Sequence, residues 1–180
     1  MMPIIKWSKI TREERFFTSM LYHDILHDDR PILNLFGNNL EVLFDISLVD
    51  AGYEVCFFRD AFHYKPALVK ERQPLLEKQT FDLVLWLSDQ SLVIIEAKAQ
   101  QGFHMDQINA LKQSREIILR ISAPRYPIGK IYLFGLCSSK YNLKKSTEQE
   151  FDSIIRWNEI ASLYPSHEEE YDRADYIYRD

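Results

Sequence analysis

The chain has 180 residues, 46% hydrophobic and 27% charged, which is typical of one globular domain. It has neither the run of ~20 apolar residues that a membrane-spanning helix needs nor an apolar leader after Lys6, so we expect a soluble, cytoplasmic protein without a membrane partner. The formal net charge of −5 argues against a protein that binds nucleic acid by bulk positive charge alone.

The negative charge is concentrated at the C-terminus. Residues 166–180 carry a net charge of −4, and residues 1–165 therefore carry only −1. We predict one domain over residues 1–165, on which a local basic face remains feasible, followed by an acidic C-terminal tail over residues 166–180. The tail could mimic phosphate charge and shield a basic face, although a frayed terminus is the simpler interpretation.

Two helices are predicted ahead of the first strand. Apolar residues at three-to-four spacing predict a helix from about Thr11 to His27, with Thr11 and Glu14 as its capping box. A second helix is predicted from Leu40 to about Asp50, ended by Ala51-Gly52. The aromatic and β-branched segment from Tyr53 to Arg59 then predicts a strand.

In the second half of the chain, apolar runs that predict strands alternate with segments of helical periodicity that predict helices. Because two of its strands are apolar at successive positions, helices should cover both faces of their sheet. The fold class predicted is α/β, a three-layer αβα sandwich with a central mixed β-sheet. The predicted elements are strands at 81–87, 92–98 and 130–136 and helices at 105–121 and about 149–163.

The ionisable residues within these apolar strands are Asp82, Glu96 and Lys98. A charge buried without a partner costs several kcal/mol, so such residues are informative. Glu96 and Lys98 lie two residues apart and leave the same face of their strand. If the hairpin turn centres on Asp89, or half a pairing step to either side with a bulge, Asp82 comes opposite Glu96 or Lys98. Two carboxylates and one ammonium in one pocket suit phosphodiester hydrolysis with Mg²⁺.

The segment Phe81-Asp82, thirteen intervening residues and then Glu96-Ala97-Lys98 resembles the motif of the PD-(D/E)XK, or restriction-endonuclease-like, nuclease superfamily. Phe81 stands where that motif has its name-giving proline. The helix that ends in Ala51-Gly52, before the first strand, is also similar to the opening of the family's αβββαβ core, which would run from about Leu40 to Leu136.

The resemblance implies a metal-dependent nuclease. Asp82 and Glu96 would bind Mg²⁺ or Mn²⁺ with help from the Ala97 carbonyl, and Lys98 would orient the attacking water or stabilise the transition state. The substrate would be nucleic acid, with DNA expected. A homodimer or a larger protein partner would help a domain of this size to select its target.

Supporting site residues are predicted on the neighbouring helices. The resemblance implies a further acid on the helix before the first strand, where Glu41 is the first choice and Glu14 the rival. Gln107, near the start of the helix after the motif, resembles a polar residue that some nuclease branches have beside the active site. Gln100 and Gln101 compete for that role, and a solvent-facing helix residue is the alternative for Glu41 and Gln107.

Other classes of function have little support. Cys56 and Cys137 lie in apolar runs and are predicted to be buried thiols, so a cysteine-rich zinc site is excluded. No GxxxxGK[ST] run indicates nucleotide hydrolysis, and no Ser–His–Asp or Cys–His signature indicates covalent catalysis. The alternative to a nuclease is a module that binds nucleic acid or protein and retains the nuclease fold without turnover.

Overall fold

The computed structural model describes residues 7–40, 46–57, 59–60, 79–121 and 128–178. The helices are α1 (Glu14–His27), α2 (Arg30–Leu40), α3 (Met105–Ile121), α4 (Lys145–Glu148), α5 (Trp157–Leu163) and α6 (Glu168–Tyr176). The strands are β1 (Leu48–Val55), β2 (Phe81–Leu87), β3 (Ser91–Ala97), β4 (Lys130–Cys137) and β5 (Ser153–Arg156). Two short 3₁₀ helices span Trp7–Lys9 and Pro165–His167.

The five strands form one mixed sheet in the order β1-β2-β3-β4-β5. The first three strands pair antiparallel, whereas β3 with β4 and β4 with β5 pair parallel. Each parallel pair of strands requires a crossover connection, and α3 supplies the one between β3 and β4. The prediction of an α/β fold with a mixed sheet is confirmed.

Helices cover both faces of the sheet. On one face α1, α2, α5 and α6 bury a core that includes Phe17, Trp157 and Tyr171. On the other face α3 presents Ile108, Leu111 and Ile118, a spacing that lines one side of a helix. Every residue of β3 is buried because its alternate side chains enter the two cores. This arrangement is compatible with a three-layer sandwich.

The predicted helix from Leu40 to Asp50 is wrong. Leu40 is the last residue of α2, which begins at Arg30 beside Pro31, a residue favoured in the first helical turn. Leu48 already belongs to β1, and Ala51-Gly52 lies inside that strand rather than at a helix end. Pairing with β2 outweighs the local helical periodicity. Residues 41–45 lie outside the described residues.

The predicted helix from about Gln149 to Leu163 is only half right. Residues Ser153–Arg156 form β5 instead, paired parallel with β4, and helix α5 begins at Trp157. The backbone N–H of Arg156 donates to the carboxylate of Glu159 at 2.7 Å, which caps the start of α5. The β-branched pair Ile154-Ile155 suits a strand once β4 is available beside it.

The C-terminal segment is part of the fold, which corrects the prediction of an acidic tail. Tyr171 and Ala174 of α6 are fully buried in the core. The ring of Tyr171 stacks on that of Trp157, with centroids 6.0 Å apart and planes 12° apart. The apolar positions of α6 therefore hold the segment on the domain, while its acidic residues Glu168 and Glu169 face outward.

Two further predictions concern the cysteines and the membrane. Cys56 and Cys137 are both buried thiols outside any disulfide, as predicted. In the described ranges, no helix has the length and apolar character needed to cross a bilayer.

Candidate active site

The hairpin register brings Asp82 and Glu96 together. Leu83 pairs with Ile95 and Trp86 with Leu92, which centres the turn on Asp89 as predicted. One step beyond Leu83 and Ile95, Asp82 comes opposite Glu96. The half-buried Asp82 accepts a hydrogen bond through Oδ2 from the backbone N–H of Ala97 at 2.8 Å. This bond ties the start of β2 to the end of β3.

Lys98 lies immediately after β3 and links the acidic groups. Its Nζ donates to Oε1 of Glu96 at 2.6 Å and to the carbonyl oxygen of Ala97 at 2.8 Å. Glu14 Oε1 lies 3.5 Å from the same nitrogen. Glu96 and Lys98 are only 1% and 4% exposed, so little water screens their interaction.

Glu14 reaches the site from α1. Its Oε2 accepts a hydrogen bond from the backbone N–H of Ala99 at 2.9 Å. The predicted capping box is therefore wrong, since this carboxylate faces the end of β3; the hydroxyl of Thr11 accepts instead from the N–H of Glu13 at 3.2 Å. Glu41, the first choice for the helical acid, lies outside the described residues.

Gln107, in the first turn of α3, contacts the same cluster. Its Nε2 donates to Oε1 of Glu96, the oxygen that Lys98 also contacts. Of its two competitors, Gln100 donates to the backbone oxygen of Arg12 at 2.5 Å, and Gln101 is exposed. Helices from opposite layers thus converge on one edge of the sheet, α1 through Glu14 and α3 through Gln107.

Sequence reasoning missed Trp157 and Glu54. The fully buried Trp157 donates from Nε1 to the backbone oxygen of Lys98 at 3.0 Å, which holds the chain as it leaves β3. Glu54, on β1 next to Asp82, is 3.1 Å from Arg15 Nε of α1. No local pattern indicated either contact, because both residues reach the site through strand pairing and helix packing.

The electrostatics of the site reflect three carboxylates around one ammonium. Burial, followed by the nearby Asp82 carboxylate, raises the pKa of Glu96 to about 8 despite Lys98. Burial also raises the pKa of Asp82 and of Glu14. Burial alone would lower the pKa of Lys98, but the carboxylates of Glu96 and Glu14 outweigh it and raise that pKa. With all acids ionised the cluster would carry a charge of −2.

The donor types suit a hard divalent cation, although the side chains do not form a closed cage. In the described part of the chain, no three His, Cys, Asp or Glu side chains stand close enough together to hold a metal ion. Oε2 of Glu96 is nevertheless buried and has no hydrogen-bond partner among the described residues. A buried oxygen of this kind is a natural ligand, and a divalent cation would balance the charge of −2.

Fold and site together define an α/β domain with a mixed five-stranded sheet and a buried acid–lysine cluster at the edge where β3 ends. Comparison with protein-family models, with curated proteins and with solved structures finds no match for this chain.

Proposed function

We propose that the chain is a metal-dependent nuclease that hydrolyses phosphodiester bonds, with DNA as the substrate that the PD-(D/E)XK resemblance implies. The observation that carries the proposal is the buried contact of 2.6 Å between Lys98 Nζ and Glu96, with Asp82 and Glu14 bound to the backbone N–H groups on either side of Lys98. A lysine and a glutamate are rarely buried together, with further acids beside them, without a functional or strong structural reason.

A restriction-endonuclease-like core is part of this proposal. The order β1, β2, β3, helix α3 and β4 agrees with the βββαβ portion of that core. The acid at the end of β3 and the lysine two residues later lie where the motif requires them. The helix that supplies an additional acid is α1, through Glu14, and helix α2 lies between α1 and β1 in the chain.

Asp82, Glu96 and the carbonyl of Ala97 would hold Mg²⁺ or Mn²⁺. Such a cation, when bound, lowers the pKa of a water ligand and stabilises the charge that develops on the phosphate. Glu14 contributes a further carboxylate on the α1 side. The hydrogen bond from the Ala99 N–H holds the Glu14 carboxylate 3.5 Å from Lys98 Nζ. Glu14 therefore orients the lysine, whose ammonium stays in contact with Glu96.

The remaining residues have roles that follow from their contacts. Lys98 keeps its proton because the surrounding acids raise its pKa, so it presents a permanent cation to an incoming phosphate. Gln107 holds the carboxylate of Glu96 from the α3 side. Trp157 fixes the backbone at Lys98 and thereby the direction of the lysine side chain. Together they preorganise the charges before substrate binds.

The first test is a calorimetric titration of Mg²⁺ and Mn²⁺ into the wild type and Asp82→Asn, joined to cleavage assays on labelled single- and double-stranded DNA and RNA. We expect metal binding in the wild type, loss of that binding in Asp82→Asn, and metal-dependent cleavage that Glu96→Gln lowers by at least about a hundredfold. Asp89→Asn is the matched control, since Asp89 lies in the hairpin turn at the far end of both strands. Cleavage that survives Glu96→Gln contradicts the proposal.

A second candidate is a module that binds nucleic acid or protein without turnover. One observation favours it: Lys98 and Gln107 both donate to the almost fully buried Glu96, so the cluster is largely satisfied without a ligand. An absence of metal binding at neutral pH, with the fold intact, selects this candidate over the nuclease. Tight metal binding lost in Asp82→Asn selects the nuclease.

A further inference from the structure

A second surface feature lies beside the candidate active site. It is a groove of about 670 Å³ between the N-terminal segment, the turn after β4 and helix α6. Its polar lining consists of four cations and two tyrosines, and we call it the basic groove: Lys9, Arg12, Lys140, Arg173, Tyr176 and Tyr178. Such a lining is unusual for a chain with a net charge of −5.

The acids of α6 neutralise only one end of the basic groove. Lys9 contacts Glu169 at 2.7 Å and Glu170 at 2.8 Å. Within the described ranges, neither Arg12 nor Lys140 forms an ion pair with a carboxylate. Their charges therefore remain available to an anionic ligand.

The backbone and the aromatic rings hold the two arginines. Arg12 Nη2 donates to the backbone oxygen of Ile177 at 3.3 Å. The Arg173 guanidinium carbon lies 5.9 Å from the ring centroid of Phe16 and 5.4 Å from that of Phe17. The neutral backbone partner of Arg12 fixes the position of its guanidinium and leaves the charge of Arg12 in place.

Tyr176 supplies an accessible aromatic face. The residue is 73% exposed, and the ammonium of Lys140 lies 3.6 Å from its ring centroid. The neighbouring Tyr178 packs against Tyr141, with centroids 5.2 Å apart. Lys140 lies over one face of this exposed ring, so a nucleic-acid base would stack on the opposite face while the cation meets a phosphate.

The basic groove is adjacent to the candidate active site. The backbone oxygen of Arg12 accepts from Gln100, which lies two residues after Lys98. Glu14, two residues after Arg12, bonds to Ala99. Lys140 follows β4, which is parallel to β3, so it lies at the sheet edge where β3 reaches Lys98.

We infer that the basic groove binds a single strand of nucleic acid and directs it toward Lys98. Arg12 and Lys140 contact phosphates, and Tyr176 stacks on a base. The strand is single because a ring can stack fully only on a base that has left its duplex. The inference rests on the proposed function for the destination of the strand, whereas binding in the groove needs neither metal nor turnover.

The test measures binding to the protein by fluorescence anisotropy, in EDTA, of labelled oligothymidylate and oligouridylate of about 16 nucleotides. A labelled DNA duplex is measured in the same way. Tyr176→Ala is expected to weaken strand binding about five- to a hundredfold, and Tyr176→Phe to retain it. Lys140→Ala is expected to reduce the slope of log affinity against log salt by about 0.7.

Lys130→Ala is the matched control. The exposed Lys130 also lies over a tyrosine, 4.3 Å from the ring centroid of Tyr132, but at the opposite end of β4. This variant is expected to bind like the wild type. The inference would be overturned if Lys130→Ala and Lys140→Ala lost equal affinity, or if Tyr176→Ala bound the strand like the wild type. It would also be overturned if the duplex bound more tightly than the single strand, or if no strand bound at all.

The same proteins separate this inference from the proposed function. Strand binding that depends on Tyr176 and Lys140, without any cleavage when Mg²⁺ or Mn²⁺ is added, supports the groove and contradicts the nuclease. Metal-dependent cleavage with strand binding that ignores both residues supports the nuclease and contradicts the groove.

Discussion

The Nζ of Lys98, the residue that follows strand β3, lies 2.6 Å from Oε1 of Glu96, two residues earlier in the chain, and both side chains are buried. Residues i and i+2 of a strand share a face, so local geometry permits the contact. Burial makes the contact important for stability, because a buried polar group that loses its hydrogen-bond partner keeps the full cost of its desolvation. Asp82 and Glu14 add to the negative charge around the lysine.

The stability of the metal-free protein should depend on the ionisation of Glu96. Its pKa of about 8 in the fold is above the 4.5 of an ordinary glutamate, so the folded state holds a proton that the unfolded state releases. This contribution is fully present below the unfolded pKa and is lost as the pH rises through about 8. The raised pKa values of Asp82 and Glu14 act in the same direction.

Urea unfolding in EDTA from about pH 5 to about pH 9, followed by tryptophan fluorescence, measures this effect. We expect the free energy of unfolding of the wild type to fall with rising pH relative to that of Glu96→Gln, in which position 96 cannot ionise. Parallel curves for the two proteins would show that Glu96 is ionised in both states.

Glu14→Gln should lower the affinity for Mg²⁺ or Mn²⁺ about tenfold. The substitution removes one of the carboxylates that balance a cation, while the amide oxygen can still accept the hydrogen bond from Ala99. Glu13→Gln is the control, since Glu13 is the exposed neighbour at the start of α1. Titration calorimetry on both variants measures the metal affinity. Equal affinities for Glu14→Gln and Glu13→Gln would show that Glu14 does not contribute to binding the cation.

Gln107→Ala should lower kcat for cleavage about ten- to a hundredfold and leave KM nearly unchanged. Gln107 holds the Glu96 carboxylate but is a positioning residue, so its loss affects the geometry of the site more than the binding of substrate. The exposed Gln113 on the same helix provides the control variant Gln113→Ala. Steady-state cleavage kinetics measure both constants; a change confined to KM would instead indicate a role in binding substrate.

Tyr171→Phe should lower the free energy of unfolding by about 1.5–3 kcal/mol, the usual value of a hydrogen bond to a charged group. The fully buried Tyr171 donates its hydroxyl to Oδ2 of Asp24 at 2.6 Å, and the ring Nδ1 of His167 lies 2.9 Å from the same carboxylate. Urea denaturation at neutral pH measures the change. The exposed Tyr176→Phe should match the wild type, and a similarly stable Tyr171→Phe would mean that water replaces the lost donor.

The elements predicted correctly are those whose signal is local. The bounds of β2 and α3 agree with the structure, because an uninterrupted apolar run and a helical periodicity each identify their element without neighbours. The mispredicted elements, β1 and β5, depend on neighbours. Strand β1 forms because it pairs with β2, and β5 because it pairs with β4, at the two sides of the sheet. The local sequence of β1 or of β5 does not indicate that pairing.

The candidate site divides in the same way. The sequence by itself determined that Asp82, Glu96 and Lys98 would meet, since the hairpin spacing centres the turn on Asp89 and alternation puts i and i+2 on one face. Only the tertiary structure decided that Glu14 and Gln107 join them from opposite layers, that Trp157 fixes the Lys98 backbone, and that α6 completes both the core and the basic groove. The reason is physical: strand geometry acts over a few residues, whereas the packing of distant helices on a sheet depends on the whole core.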